Sequence, residues 1–315
     1  MQVTQRFAQM LTKNVGTVIV GKQDAVELMM IAILCRGHVL IEDVPGVGKT
    51  TLASALARSL DCSFKRIQFT PDITPSDITG FSIVNFKTGE LEYRQGLVMS
   101  QIVLADEINR TSPKTQSSLL EVMEEGQVTV DGTTYQTPKP FIVLATQNPV
   151  DFVGTYPLPE AQLDRFFMRV SIGYPTPEEE CDILERYTGS ARPMQELSPI
   201  CTSNDILLLQ QQVETVYTSK EVRAYISGIA AASRKNGALQ LGVSTRAAIS
   251  LLKAAQARAL LDGRDFVAPE DVQRMAEPVL AHRLVLSAEA RMRNMTAQKV
   301  LQNVMGTVQV PVKVK

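Results

Sequence analysis

The sequence predicts a doubly wound α/β domain followed by a smaller helical domain. In the first 188 residues, short apolar runs alternate with helix-like patterns, and three of the runs are apolar almost throughout. Near-continuous apolar runs are typical of parallel strands buried on both faces, and strand–helix alternation builds such a sheet. From residue 189 onward, apolar residues recur with helical spacing instead.

Five segments read as strands and two as helices in the first domain. The helix patterns are Lys49–Leu60 and Ser112–Glu125, and Ser112 followed by Pro113 fits a helix start. The strand segments are Gly37–Asp43, Phe64–Phe69, Gln101–Asp106, Phe141–Gln147 and Phe167–Ile172.

Two further segments interrupt this alternation. Gln68–Ser100 is too long and too polar for a simple strand-to-helix loop, so we expect an insertion with its own secondary structure. Gln127–Pro140 alternates apolar and polar residues around Asp131-Gly132, which predicts a hairpin with a two-residue turn.

The division between the domains is predicted at residues 188 and 189. Gly189–Pro199 is rich in Gly, Pro and Ser and reads as a linker. Beyond it we expect helices throughout, to residue 315, because four apolar stripes have helical spacing. The stripes are Ile206, Leu209, Val213 and Val216; Val222, Tyr225, Ile226 and Ile229; Ala247, Leu251, Leu252 and Ala255; and Val272, Met275 and Val279.

Composition limits the classes of function. The 315 residues carry 32 basic and 33 acidic side chains, and this balance argues against nucleic acid or anionic lipid as a main partner. The apolar run that contains Met29–Cys35 is far shorter than a membrane span, and the N-terminal segment lacks the apolar core of an export signal. We therefore expect a cytoplasmic protein.

Cysteine and histidine usage gives no sign of a zinc site or of disulfide bonds. The four cysteines are scattered without a CxxC pair, and the chain has only two histidines. Reduced cysteines in the interior are the expectation.

The segment PGVGKT (45–50) lies between a predicted strand and a predicted helix. A phosphate loop needs small residues whose backbone N–H groups surround phosphate oxygens, a Lys for the β- and γ-phosphates, and a hydroxyl for Mg²⁺. Two glycines, Lys49 and Thr50 meet these needs. The general pattern has Gly at position 43 where this chain has Asp43, but the strand–loop–helix context still supports a phosphate loop.

A second motif, IVLADE (102–107), is a strand that ends in two carboxylates. Asp106 would lie near Mg²⁺, and Glu107 would polarise an attacking water. An isolated Asp-Glu at a strand end is commonly a solvated turn, but its occurrence after a phosphate loop favours nucleoside triphosphate hydrolysis. Asn148 follows the next strand and could orient the water or the γ-phosphate, although Asn-Pro alone often marks only a turn.

Together these motifs resemble the MoxR family of AAA+ ATPases over essentially the whole chain. The matching segments are EDVPGVGKT (42–50), LADEINR (104–110), ATQNP (145–149) and LPEAQLDRF (158–166). Asp43 at the first glycine position is a familiar variant in that family. The resemblance implies an AAA+ P-loop core, a parallel five-stranded αβα sandwich, followed by a small all-α lid domain.

The resemblance also implies ATP or ADP and Mg²⁺ as ligands and gives individual residues roles. Glu107 would be the catalytic base, and Thr50 and Asp106 would hold the metal. Val20 and Gly21 would line the adenine. The implied nucleotide-binding residues are Val20, Gly21, Pro45, Gly46, Val47, Gly48, Lys49, Thr50, Thr51 and Asp106.

Three further residues would complete the catalytic machinery. Asn148 matches the first sensor. Arg165 matches the arginine finger, which acts on a neighbouring subunit's nucleotide, and its alternative is a structural ion pair. Arg246 matches the second sensor, which a lid helix presents to the γ-phosphate, and its alternative is a surface Arg in a first helical turn.

The implied function is Mg²⁺-dependent ATP hydrolysis by a ring, hexameric in this family type, that remodels or matures another protein complex. Segments 68–100 and 127–140 would be the helix-2 insertion and the pre-sensor hairpin, which touch substrate or partner in related machines. A partner with a von Willebrand factor A domain is implied by analogy.

Two alternatives remain open. A nucleic-acid motor is disfavoured by the balanced charge and by the lack of an appended DNA-binding module. In a nucleotide-gated scaffold, hydrolysis would only reset a binding state, and Glu107, Asn148 and Arg165 argue instead for turnover.

Overall fold

A computed structural model describes residues 2–148, 154–186, 188 and 193–311 of the chain. In chain order up to residue 125, the elements are α1 Gln2–Gly16, α2 Gln23–Leu34, β1 Val39–Glu42, α3 Lys49–Ser59, β2 Phe64–Gln68, α4 Pro75–Thr79, β3 Gly80–Val84, β4 Leu91–Gln95, β5 Ile102–Asp106 and α5 Pro113–Glu125. The elements that follow are β6 Gln127–Val130, β7 Thr133–Gln136, β8 Ile142–Gln147, α6 Glu160–Leu163, β9 Met168–Val170, α7 Pro177–Arg186, α8 Pro193–Glu196, α9 Ser203–Thr215, α10 Lys220–Lys235, β10 Leu239–Leu241, α11 Thr245–Leu261, α12 Pro269–Leu280, β11 Val285–Leu286, α13 Ala288–Met292 and α14 Ala297–Gly306.

A central sheet of five parallel strands has the order β2-β5-β8-β1-β9. These strands lie inside the five predicted segments, and the predicted α/β class is confirmed. Because the strands run in one direction, their ends form two distinct edges. We call the edge at which the strands finish the carboxyl edge and the edge at which they begin the amino edge.

The two segments that interrupt the alternation have the predicted character. Segment 68–100 contains α4 and the antiparallel pair β3–β4. Strands β6 and β7 form the predicted hairpin, and both turn residues, Asp131 and Gly132, have positive φ angles of 49° and 79°. Positive φ at both positions is the geometry of a two-residue type I′ turn, which Asp-Gly favours.

The four predicted stripes lie on α9, α10, α11 and α12, except that Val216 comes just after the end of α9. The expectation of helix throughout was wrong in one respect. Strands β10 and β11 pair in antiparallel fashion between the helices. They have three and two residues, too few for a periodicity to emerge from the sequence. Residues 189–192 of the predicted linker lie outside the described residues, and its remainder includes the short helix α8.

The two faces of the sheet bury different cores. One core continues from α1 and α2 into the helical region and includes Leu11, Met29 and Leu251. The other lies under α5 and the insertion and includes Phe69 and Leu120. One apolar core therefore continues across the change of sequence pattern near residue 188. Among the described residues, no helix is both long and apolar enough to cross a bilayer.

His38 joins three elements at the amino edge. Its Nδ1 accepts a hydrogen bond from the backbone N–H of Val143 (2.9 Å), and its Nε2 donates to the carbonyl oxygen of Met123 (2.8 Å). This pair of bonds fixes the neutral tautomer, and burial lowers the pKa of His38 to about 4. The ring connects the start of β1 with the start of β8 and the last turn of α5.

His38 should make folding stability depend on acid. In the unfolded chain the ring takes up a proton near pH 6.5, whereas in the folded protein it stays neutral to about pH 4. The contribution of neutral His38 to the free energy of unfolding is therefore fully present above pH 6.5 and is lost as the pH falls towards 4. We expect the melting temperature to fall less between pH 7 and pH 5 in His38→Gln than in the wild type, as thermal melts would show. Parallel curves would contradict this assignment.

Candidate active site

The phosphate-loop segment connects β1 to α3 at the carboxyl edge. Gly46 and Gly48 have φ angles of 85° and 88°, which side chains other than glycine rarely adopt, and Gly48 is the N-cap of α3. The Nζ of Lys49 donates a hydrogen bond to the carbonyl oxygen of Asp43 across the loop (2.7 Å). Backbone N–H groups at the start of a helix bind anions, so the loop is suited to phosphate.

Asp43 has a structural role that explains why it replaces glycine. Its Oδ2 accepts hydrogen bonds from the backbone N–H groups of Ile172 (2.5 Å) and Gly173 (2.8 Å) and from the hydroxyl of Ser171 (3.1 Å). These three residues follow β9 directly. The first residue of the loop therefore anchors the end of the neighbouring strand, which glycine could not do.

The predicted catalytic groups of the carboxyl edge share one cavity of about 470 Å³ with the loop. Of the predicted loop residues only Val47 is not in its wall, and it packs against the apolar core instead. The lining residues are Pro45, Gly46, Gly48, Lys49, Thr50, Thr51, Arg66, Gln68, Asp106, Glu107 and Asn148. Burial lowers the pKa of Lys49, and nearby carboxylates, Asp43 first, oppose that shift. Pro149 of the ATQNP motif lies outside the described residues.

Asp106 is buried and has both carboxylate oxygens occupied. Its Oδ1 accepts from the hydroxyl of Thr146 (2.6 Å), and its Oδ2 accepts from Nε (3.1 Å) and Nη2 (2.6 Å) of Arg66. The Thr146 hydroxyl in turn accepts from the backbone N–H of Glu107 (2.8 Å). Thr146 therefore fixes both residues of the Asp-Glu pair from the adjacent strand.

Glu107 turns away from the strand direction. Its φ of 58° is left-handed, which is uncommon for a residue other than glycine and is often found at functional sites. Its Oε2 accepts from Nε2 of Gln68 (2.8 Å) and lies 3.3 Å from Nε of Arg110. The carboxylate is thus held at the mouth of the cavity.

The sequence reasoning missed Arg66 and Gln68. Both belong to β2, an edge strand, and flank the buried Ile67. The structure brings them to the site because β2 pairs with β5, which places Gln68 opposite Asp106. In the sequence, the available signal was the alternation of polar and apolar residues at the end of the strand. Such alternation also marks any half-exposed edge strand, so it does not identify a site on its own.

Thr50 and Asp106, the two residues predicted to hold a metal, both line this cavity and would offer one hydroxyl and one carboxylate. This small set of hard oxygen donors fits Mg²⁺, which keeps several waters and shares phosphate oxygens of a bound nucleotide. In the described parts of the chain, no cluster of three or more His, Cys, Asp or Glu side chains is arranged to hold a metal. A bound nucleotide would therefore have to complete the coordination.

The segment predicted to line the adenine lies beside the loop. A Cβ on Gly21 would lie 1.7 Å from Oε1 of Glu179, so this glycine packs directly against α7. Ile19, one residue before Val20, approaches Gly48 with its Cδ1 4.0 Å from the position of a Cβ there. The location suits an adenine contact for Val20 and Gly21, which remains a prediction.

Arg165 and Arg246 lie together at the amino edge. Arg165 precedes β9, and Arg246 is in the first turn of α11. Both pair with Glu124 in the last turn of α5, with Nε of Arg165 3.4 Å and Nη2 of Arg246 2.5 Å from its oxygens. They line a cavity of about 540 Å³ whose charged residues are Arg36, Glu124, Asp164, Arg165, Arg246, Lys253 and Arg283.

This arrangement does not bring Arg246 to the phosphate loop of its own chain, and its role as second sensor stays a prediction. Arg246 pairs with the end of α5, and α5 runs from the carboxyl edge back to the amino edge. A five-residue strand such as β5 spans roughly 17 Å. The two arginines therefore lie about one strand length from the cavity that contains Lys49.

Comparisons with known proteins agree with the geometry. The model of the ATPase family associated with various cellular activities (AAA) matches residues 38–168, and that of the AAA lid domain matches residues 231–304. The uncharacterized protein YeaC of Bacillus subtilis is 52% identical over 96% of this chain and 94% of its own. Chaperone MoxR1 of Mycobacterium tuberculosis is 41% identical over 95% of this chain and 81% of its own.

A solved structure supports the same assignment. The crystal structure of a protein from Cytophaga hutchinsonii, provisionally assigned as an ATPase, has a TM-score of 0.92 and is 38% identical. The match covers 98% of this chain and 96% of that one. With two matching family models and close relatives along almost its whole length, the chain belongs to the MoxR family of AAA ATPases.

Proposed function

We propose that this protein hydrolyses ATP with Mg²⁺ and works as a ring of identical subunits. The observation that carries the proposal is the cavity at the carboxyl edge, where a phosphate loop, two carboxylates and Asn148 share one wall. Phosphoryl transfer needs positioning and charge stabilisation more than covalent chemistry, and these groups provide both.

The predicted site residues of that cavity divide the chemistry among them. Lys49 and the loop N–H groups bind the β- and γ-phosphates. Thr50 and Asp106 hold Mg²⁺, which when bound neutralises charge on the phosphates. Glu107 accepts a proton from the attacking water, and Asn148 orients that water or the γ-phosphate.

Arg66 competes with the metal for Asp106. Its guanidinium donates two hydrogen bonds to Oδ2, so Arg66 would have to release at least one of them for Oδ2 to bind a cation. The side chain is half exposed and can swing into solvent. Arg66 therefore raises the Mg²⁺ concentration at which the site is half saturated.

The second half of the catalytic machinery comes from a neighbour. Arg165 and Arg246 cannot serve their own phosphate loop, and the amino-edge cavity has more cations than carboxylates, which suits an incoming triphosphate. In a hexameric ring, each nucleotide would lie between the carboxyl edge of one subunit and the amino edge of the next. Arg165 is the arginine finger, and Arg246 is a second sensor that acts on the same neighbour.

The work that hydrolysis drives is remodelling or maturation of a protein complex. A relative of this chain is named a chaperone, which supports a protein client. The β3–β4 hairpin presents Phe86 fully exposed and Leu91 65% exposed, and such residues suit contact with another protein.

The proposal also includes the domain bounds, the location and one class of partner. The α/β domain would comprise residues 1–188 and the helical lid residues 189–315. The protein would work in the cytoplasm, with a von Willebrand factor A protein among its partners.

Glu107→Gln should separate binding from hydrolysis. The amide keeps the shape of the side chain but cannot accept the proton, so we expect normal ATP affinity and turnover at least ~100-fold slower. Phosphate release and fluorescent-nucleotide titration measure the two properties. Glu125→Gln makes the same chemical change at an exposed site outside the cavity and should behave as wild type. Near-normal turnover in Glu107→Gln would exclude the role of base.

Arg66→Ala should lower the Mg²⁺ concentration required for nucleotide binding. A half-exposed ion pair is worth about 0.2–1 kcal/mol, so the half-saturating Mg²⁺ concentration should fall ~1.4–5-fold. The measurement is a titration of Mg²⁺ at fixed fluorescent ATP analogue. Lys65→Ala, on the same strand but outside the cavity, is the control. An unchanged midpoint in Arg66→Ala would show that the ion pair does not compete with the metal.

Arg165→Ala and Arg246→Ala should each lose turnover while still binding ATP. Removal of an arginine finger costs ~10³–10⁵ in rate in other phosphoryl-transfer systems. Glu107→Gln keeps both arginines but lacks the catalytic base in its own pocket. Each arginine variant keeps the base in its own pocket but lacks one of the arginines. Mixed rings of Glu107→Gln with either variant should therefore regain activity, measured after pull-down of differently tagged subunits proves mixing. Mixed rings without recovery would mean that the arginines do not act across the interface.

A further inference from the structure

We propose that Glu124 is a positioning residue that holds Arg165 and Arg246 as a single unit for the phosphates of the neighbouring subunit. This inference rests on the proposed function, because it assigns the two arginines to the same neighbouring nucleotide.

The contacts divide one carboxylate between two guanidinium groups. Oε2 of Glu124 faces Nε of Arg165 (3.4 Å), and Oε1 faces Nη2 of Arg246 (2.5 Å). Arg165 comes from the turn before β9, and Arg246 comes from α11 in the helical region. Glu124 is thus the group that fixes the separation of two arginines from different parts of the chain.

Helix electrostatics do not account for a carboxylate at this position. Glu124 lies in the last turn of α5, where the exposed carbonyl groups give the helix end a partial negative charge. An acidic side chain is unfavourable there, and cations are favoured. The two arginines compensate for that charge, so the carboxylate of Glu124 is stabilised by its ion pairs and not by the helix.

The charge balance of the cavity leaves these two arginines available to an anion. Arg283 pairs with Asp164 (3.5 Å) and Arg36 pairs with Glu214 (3.2 Å), whereas Arg165 and Arg246 share Glu124 alone. Their side chains are 33% and 50% exposed. Their other guanidinium N–H groups bind no partner among the described residues, and phosphate oxygens accept such donors in pairs.

Glu124→Gln tests the inference, with Glu125→Gln as the matched control one residue away. The amide cannot form ion pairs with both guanidiniums, so the arginines lose their common anchor. We expect unchanged ATP affinity in the subunit's own pocket and a kcat at least ~10-fold lower, since loss of preorganisation alone can cost this much. In the non-hydrolysing Glu107→Gln background, ATP-dependent assembly measured by sedimentation should also weaken. Glu125→Gln should match wild type in all three measurements.

Mixing experiments separate positioning from a general loss of stability. Glu124→Gln damages only the arginine side of the interface, so it should regain activity when mixed with Glu107→Gln but not when mixed with Arg165→Ala. Wild-type kcat in Glu124→Gln, a higher kcat, or recovery with Arg165→Ala would each overturn the role of Glu124. If Arg165→Ala itself fails to recover with Glu107→Gln, the assignment of the arginines to a neighbour fails first, and the role of Glu124 fails with it.

Discussion

All strands of the central sheet run in one direction, and this constraint separates the functional groups of the molecule into two sets. The carboxyl edge collects the phosphate loop, Asp106, Glu107 and Asn148. The amino edge collects Arg165, Arg246 and their shared partner Glu124. A strand length lies between the sets, so the two arginines do not line the cavity that contains the phosphate loop of their own chain. Under the proposed function, catalysis with both sets would therefore use two copies of the chain.

Strand β2 connects the carboxyl edge to the insertion. Arg66 and Gln68 bind the side chains of Asp106 and Glu107, respectively, and the insertion starts directly after Gln68. The backbone N–H of Phe69, the first residue beyond β2, still donates to the carbonyl oxygen of Asp106 (2.9 Å). The insertion therefore begins next to the residues that hold Asp106 and Glu107, the two carboxylates with proposed catalytic roles.

Sequence patterns predicted those features that local chemistry determines. Continuous apolar runs located the strands, and Lys49, Asp106 and Glu107 were recognisable because few residue types can do their chemistry. The placement of Arg246 was not predictable in this way. An apolar stripe indicates which face of α11 is buried, but not whether that face packs over the nucleotide or against α2 and α12, as it does here. The role of His38 likewise depends on Met123 and Val143, which are remote in sequence.

The departure at Asp43 ties the two edges together. Its carboxylate anchors residues 171–173 at the end of β9, while its carbonyl oxygen accepts from Lys49 within the loop. The same strand begins just after Arg165, and the backbone N–H of Phe167 donates to the carbonyl oxygen of His38 (2.8 Å). Strand β9 is thus hydrogen-bonded to the phosphate loop at one end and follows Arg165, the proposed arginine finger, at the other. A glycine at position 43 would complete the general phosphate-loop pattern. It would also remove the side-chain hydrogen bonds that connect the phosphate loop to β9, and through β9 to the segment that contains Arg165.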